Sequence, residues 1–283
     1  MTPTNLPKLP PRDPQAHKGT FGTALIVGGS RGMSGAIAMA GMAALRGGAG
    51  LVRLAVPENC LDTVAQFNPC YMTTPLPADS GGRIATAACD AIIELSTSAT
   101  VLALGPGLGR SDELDELVPR LYRRIEQPMV VDADALNALS DAPQALSSPG
   151  GPRILTPHPG EFARLYGRIP RSDEDRMAAA AELAGRTGAV VVLKGHHTCV
   201  SDGVTTTLNT TGNPGMATGG SGDVLTGLIA ALCCQGLSML DAARLGTHLH
   251  GLAGDLAAKH LGQVSLIATD LIDALPEAIR TAS

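Results

Sequence analysis

Short, wholly apolar runs recur along the 283-residue chain, each stopped abruptly by glycine, proline or a polar residue. Ala24-Leu25-Ile26-Val27 runs into Gly28-Gly29-Ser30-Arg31-Gly32, and Leu51-Val52-Arg53-Leu54-Ala55-Val56 ends at Pro57. Thr100-Val101-Leu102-Ala103-Leu104 opens into Gly105-Pro106-Gly107-Leu108-Gly109. Met129-Val130-Val131 leads to Asp132, Arg153-Ile154-Leu155-Thr156 to Pro157-His158-Pro159, and Val190-Val191-Val192-Leu193 to Lys194-Gly195. Six such runs, too short for helices and flanked by turn residues, read as strands buried on both faces. Between them lie helical stretches over residues 36–45 and 176–185. The pattern predicts an α/β protein of three layers, with a mostly parallel central sheet and helices on both faces. Five of the strand ends carry glycine-rich or polar loops that would share one rim, the edge at which open α/β sheets bind ligands.

The chain changes character at residues 213–236, NPGMATGGSGDVLTGLIAALCCQG. Six of the first ten residues are Gly, Asn or Pro; Val224, Leu225, Leu228, Ile229 and Leu232 then follow at helical spacing. Gly219 to Asp223 therefore sit where a loop becomes a helix. Open backbone N–H groups and the positive end of the helix dipole suit phosphate oxygens there. A carboxylate beside such a site repels the anion, so Asp223 needs a task. Taking the proton of a hydroxyl that attacks phosphorus is one. A helix carboxylate stabilised by the dipole would not by itself call for the glycines upstream.

Other chemistries fit less well. Residues 28–35, GGSRGMSG, resemble a dinucleotide fingerprint, but a lone pattern of this kind is weak. Short-chain dehydrogenases also need a tyrosine with a lysine four residues on, and Tyr71, Tyr122 and Tyr166 are followed there by Pro75, Glu126 and Pro170. None of the lysines, Lys8, Lys18, Lys194 and Lys259, lies in a Walker A loop. Net charge is −5, with three Phe, three Tyr and no Trp, so neither a basic surface nor a stacking platform for nucleic acid is expected. The six cysteines form no C-x-x-C pair, and Cys233-Cys234 read as core on an apolar helix; a reducing, cytoplasmic location follows. No run is long enough to span a membrane. Residues 1–17, rich in proline, read as a flexible arm ahead of a single domain over 18–283. The histidines have no zinc-like spacing. Asp132 or Asp134 reads first as the cap of a helix that opens at or before Asn137, leaving one solvated carboxylate, while their place on the shared rim favours a site role as the alternative. His158, between two prolines, reads as readily as an aimed side chain as an incidental surface one, and Lys194 at a strand end is expected to meet an anion in preference to merely reaching the rim.

KGTFGTALIVGG, GAGLVRLAVP, ALGPGLG, VVDADALN, ILTPHPGE, VVLKG and NPGMATGGSGDVLTG occur in this order over residues 18–227, followed by THLHGLAGD and ATDLIDALP. Together they resemble the ADP-dependent NAD(P)H-hydrate dehydratases, a branch of the ribokinase-like superfamily. The resemblance implies a repair enzyme that dehydrates the S epimer of hydrated NADH or NADPH, consuming ADP and releasing AMP and phosphate. It implies Asp223 as the base or orienting carboxylate, and Ala36, Gly107, Gly109, His158 and Asp223 as contacts of the hydrated dinucleotide. Lys194, Gly195, His196, His197, Thr198, Gly220, Ser221 and Gly222 would hold the adenine nucleotide. Where this chain has His196 and His197 the family commonly carries Gly or Ala, so contacts there are expected from backbone. Magnesium is expected with the phosphates, with Asp132, Asp134 and Glu161 as candidate ligands. The resemblance further implies a homotetramer and reliance on a separate epimerase for the R epimer. The competing expectation is a ribokinase-like kinase of a hydroxymethylpyrimidine or thiazole alcohol; a nucleotide-binding sensor would not require Asp223.

Overall fold

A computed structural model of the chain describes residues 6–282. Its strands are β1 (Thr23–Val27), β2 (Leu51–Pro57), β3 (Met72–Leu76), β4 (Val101–Leu104), β5 (Met129–Val131), β6 (Arg153–Leu155), β7 (Val190–Leu193), β8 (Cys199–Ser201) and β9 (Thr206–Leu208). They form one nine-stranded sheet in the order β3-β2-β1-β4-β5-β6-β7-β8-β9. Pairing is parallel from β3 to β7, and β8 and β9 close the sheet with antiparallel pairs. The six strands expected from the apolar runs are all present; β3, β8 and β9 are additional.

Alternation along β1 explains the layers. Ala24 and Ile26 join one core, and Leu25 and Val27 join the other, as a pleated strand buried on both faces requires. Helices α1 (Ser34–Arg46), α2 (Leu61–Phe67), α9 (Ser221–Cys234), α10 (Met239–Leu261) and α11 (Ala268–Ala282) supply the first core. The opposite face is covered by α3 (Cys89–Thr97), α4 (Asp112–Arg124), α5 (Ala133–Ser140), α6 (Pro143–Leu146), α7 (Pro159–Tyr166) and α8 (Asp173–Thr187). Serines start three of these helices, Ser111 at α4, Ser172 at α8 and Ser238 at α10, each accepting a first-turn backbone N–H.

Part of the expected proline-rich arm, residues 1–5, lies outside the described residues, as does residue 283. The remainder of the arm carries no helix or strand. It is tied to the body: Arg12 donates to the Gly48 carbonyl at 2.9 Å and covers the Phe21 ring at 3.9 Å. Leu9 packs on the first core.

Helices α1 and α9 approach so closely that Gly227 touches the backbone of α1. A β-carbon added there would lie 1.9 Å from the Ala40 carbonyl oxygen. This close packing anchors α9, whose first turn carries Asp223. Gly227→Ala would ordinarily favour a helix. Here it should force the helices apart and cost about 1–3 kcal/mol, read as a lower midpoint in urea unfolding followed by circular dichroism.

Candidate active site

Loops following β1, β4, β5, β6 and β7 carry the candidate residues, and those five strands are consecutive in the sheet. The rim expected from separate sequence segments is therefore one continuous edge. At its centre is Asp132, directly after β5 and 1% exposed. Lys194, from the end of β7, donates to its Oδ1 at 2.7 Å. Thr156 Oγ1, after β6, donates to the same oxygen at 2.8 Å, and Thr226 Oγ1, from α9, donates to Oδ2 at 2.8 Å. Asp132 stands at the N-cap of α5, but its side chain caps nothing. Asp134 is not a solvated spare either, since its Oδ2 accepts the Gly109 N–H at 2.8 Å. The helix-cap expectation for this pair is thus corrected. A carboxylate held by an ammonium and two hydroxyls gains more than one N–H of a helix end offers.

Asp223 lies in the first turn of α9. Gly220 is the N-cap, and no side chain caps the helix. Gly222 faces the Lys194 ammonium closely enough that an added β-carbon would sit 3.2 Å from Nζ. Backbone donors, helix dipole and one ammonium converge here, an arrangement that receives anions. Burial pushes the Asp223 carboxyl up to about 7; Asp132 adds to the rise and Lys194 opposes it. Glu161 is likewise raised to about 7 by burial, against Lys194. Burial alone would depress the Lys194 ammonium, but Asp132, Glu161 and Asp223 outweigh it and leave its pKa raised.

His158, for which the flanking prolines left an aimed and an incidental side chain equally open, is tied into the start of α7 and lines a cavity at the rim. Its Nδ1 accepts N–H bonds from Gly160 at 3.0 Å and Glu161 at 3.3 Å, and its own N–H donates to Glu161 Oε2 at 2.7 Å. This reciprocal cap starts α7. Burial, with Lys194 and Arg164, lowers the His158 pKa, keeping the ring neutral and Nδ1 able to accept.

Two cavities meet at this point. One, of about 410 Å³, is lined by His158, Glu161, Asp132 and Asp223. The other, of about 510 Å³, is lined by Lys194, Gly195, His196, His197, Thr198, Ser221 and Gly222. They share Lys194, Gly195, Met216, Ala217 and Gly222. Ser221 turns its hydroxyl to the Met216 carbonyl at 2.8 Å, so it offers backbone to the cavity. Gly220 sits behind, against Met39 and Ala268, and lines neither cavity. Ala36, Gly107 and Gly109 cluster with one another around Met33. They line neither cavity.

Several participants escaped sequence reasoning. Thr226 was a visible signal, a polar residue inside an apolar helix. Asp255 on α10 holds the cavity loop by accepting from Gly212 N–H at 2.9 Å and Asn213 Nδ2 at 3.0 Å; nothing local in sequence pointed to it. Ala133 and His197 are the two non-glycine residues with positive φ among the described residues, at 50° and 52°. Both border the site, where backbone strain is held by the surroundings.

A mostly parallel sheet with helices on both faces, with the site on the rim beyond the strand ends, places the chain among ribokinase-like α/β folds. The residue pattern of the NAD(P)H-hydrate dehydratase family matches residues 24–277, and the chain belongs to that family. It is 48% identical over 276 residues to the bifunctional NAD(P)H-hydrate repair enzyme Nnr of Moorella thermoacetica, covering 96% of this chain and 52% of the relative. The Vibrio cholerae enzyme of the same name is 43% identical over 270 residues, covering 95% and 52%. The chain thus spans about half the length of these curated relatives. Among solved structures, the ADP/ATP-dependent NAD(P)H-hydrate dehydratase of Bacillus subtilis, co-crystallised with ATP and Mg2+, superposes with a TM-score of 0.83 at 31% identity. That match covers 98% of this chain and 95% of the other. A hydroxyethylthiazole kinase from Pyrococcus horikoshii, at 18% identity and a TM-score of 0.57, shares the fold.

Removing Lys194 would strand the buried Asp132 charge. Lys194→Met should therefore cost about 3–5 kcal/mol at pH 7, and adding Asp132→Asn should recover part of it, both measured by urea unfolding. Asp223 has the opposite sign. Its folded pKa of about 7 exceeds the ordinary value of 3.8, so ionisation costs stability increasingly as pH rises between those values. Asp223→Asn should accordingly be more stable than the parent at pH 8, with the advantage shrinking towards pH 4.

Proposed function

We propose that the chain catalyses ADP-dependent dehydration of the S epimer of hydrated NADH and NADPH, with residues 18–283 as a single catalytic domain. The reading rests above all on Asp223, a buried carboxyl with a pKa near 7 in the uncapped first turn of α9, which lines the smaller cavity next to Gly222, a residue both cavities share. The smaller cavity would take the hydrated nicotinamide and the larger one the nucleotide. Asp223 would accept the proton of the ring C6 hydroxyl as its oxygen attacks the β-phosphorus of ADP. The bond from that phosphorus to the bridging oxygen breaks, and AMP leaves carrying the electron pair. The N–H groups at the start of α9 and the Lys194 ammonium offset charge on the phosphoryl oxygens in transit. The C6–O bond of the phosphate ester then breaks, driven by the ring nitrogen lone pair. Loss of a C5 proton restores the 5,6 double bond. Neutral His158, its Nδ1 already accepting from backbone, would donate to the substrate through Nε2–H without adding charge.

Ala36, Gly107 and Gly109 would extend the substrate surface beyond the smaller cavity, and Gly220 would shape the helix start without touching ligand. Magnesium would neutralise the phosphates, which together with water would supply most of its ligands. Asp132, Asp134 and Glu161 each give at least one oxygen to a donor within the fold, so any of them at the ion would act through a remaining oxygen or a bridging water.

A cytoplasmic location accords with six free cysteines, five of them buried. Among the described residues no helix is long and apolar enough to cross a membrane. The bifunctional name of the relatives supports a functional link to an epimerase, and a homotetramer is part of the same proposal. The kinase alternative draws only on the shared fold.

With hydrated NADH, ADP and magnesium, 340 nm absorbance should recover. Asp223→Asn should slow this by a factor of about 10²–10⁴ while ADP affinity, by calorimetry, stays near the parent value. The parent's kcat/KM should rise with pH and level off above about 7, as the Asp223 carboxyl ionises. Full turnover by Asp223→Asn, or product formation only from a hydroxymethylpyrimidine or thiazole alcohol, would overturn the assignment.

A further inference from the structure

Nucleobases bind most readily against a flat π surface, and this chain has few to offer. It contains three Phe, three Tyr and no Trp, and none of these six lines the larger cavity. The π-bearing rings on that wall are the imidazoles of His196, His197 and His250. His196 and His197 are stacked, with centroids 3.9 Å apart and planes inclined by 29°. Neighbouring side chains in an extended segment point to opposite sides. The left-handed backbone at His197, φ 52°, is what turns the two rings together. A residue with a β-carbon keeps that conformation only where its surroundings hold it.

The surroundings do hold it. His197 Nδ1 lies 2.8 Å from Asp173 Oδ2, at the start of α8. Arg176, one turn further on, donates to the carbonyls of Leu193 at 3.2 Å and Lys194 at 3.3 Å, and also to that of His196. The loop is thus clamped from behind while His196 stays exposed. One face of the His196 ring is covered by His197, and no ring or guanidinium stacks on the other among the described residues. His196 stands two residues from Lys194, at most about 7 Å along the chain. With the phosphates at Lys194 and Gly222, that spacing leaves room for a ribose before the base. Met216 and Leu225 add apolar surface to the same cavity.

Resting on the reading that this cavity holds the nucleotide, we infer that His196, backed by His197 and Asp173, is the stacking platform for the nucleotide's base. The pair then determines nucleotide affinity through side chains and not only through backbone. On the full-length protein, calorimetry with magnesium should show ADP binding weakened about tenfold in His196→Ala, with inorganic pyrophosphate bound as by the parent. His196→Trp should retain ADP affinity, and its indole, the sole tryptophan in the chain, should be quenched as ADP is titrated. His197→Gly should raise the thermal midpoint by relieving the left-handed strain, yet weaken ADP by removing the backing ring. Equal losses for ADP and pyrophosphate would reassign His196 to the phosphates and overturn the inference. So would unchanged ADP affinity in His196→Ala, or an indole indifferent to ADP. If the parent binds no adenine nucleotide, the functional reading itself fails; if it binds ADP and the alanine variant matches it, only the stacking role does.

Discussion

The ion pair between Asp132 and Lys194 organises this molecule. It joins the ends of β5 and β7 across β6, and the hydroxyls of Thr156 and Thr226 bring β6 and α9 to the same carboxylate. A buried pair of this kind adds little net stability over a well-packed apolar substitute. Its contribution is positional, since four elements must arrive in register for every charge to be satisfied. Once they do, the lysine is fixed beside the start of α9, and the end of the site proposed to receive phosphate exists before any ligand arrives.

The same arrangement sets the chemistry of its neighbours. Asp132 takes the Lys194 ammonium and two hydroxyls as its direct partners. Asp223 and Glu161, with burial but weaker compensation, sit near pKa 7. A single ammonium shared among several carboxylates leaves at least one of them ready to exchange a proton near neutrality. That is the condition a general base needs, and it comes from unequal solvation and not from any unusual side chain.

Much of the architecture could be read from the chain. The six apolar runs became strands because a parallel strand buried on both sides needs no polar alternation, and such runs stand out. β3 was missed because MTTPL contains Pro75 and forms an edge, where proline is tolerated and burial is incomplete. β8 and β9, three residues each, are too short for periodicity and exist by pairing, β8 with β7 and β9 with β8. At the site, the loop-to-helix junction at Asp223 was visible from glycines followed by an apolar period. The role of Asp132 was not, because a carboxylate before a helix looks the same whether it caps the helix or receives a lysine 62 residues away. Thr226 and Asp255 act through contacts that only the tertiary fold creates.

The two cavities share Lys194, Gly195, Met216, Ala217 and Gly222 in their walls. Under the proposed reaction, the phosphoryl group alone would have to pass between them. Both reactants would then have to be seated together, since the transfer as proposed is direct and charges no side chain. The spent nucleotide could depart on its side while the phosphorylated ring remained on the other. Kinetics of that kind would be sequential, with intersecting double-reciprocal lines in place of the parallel ones of a covalently charged protein.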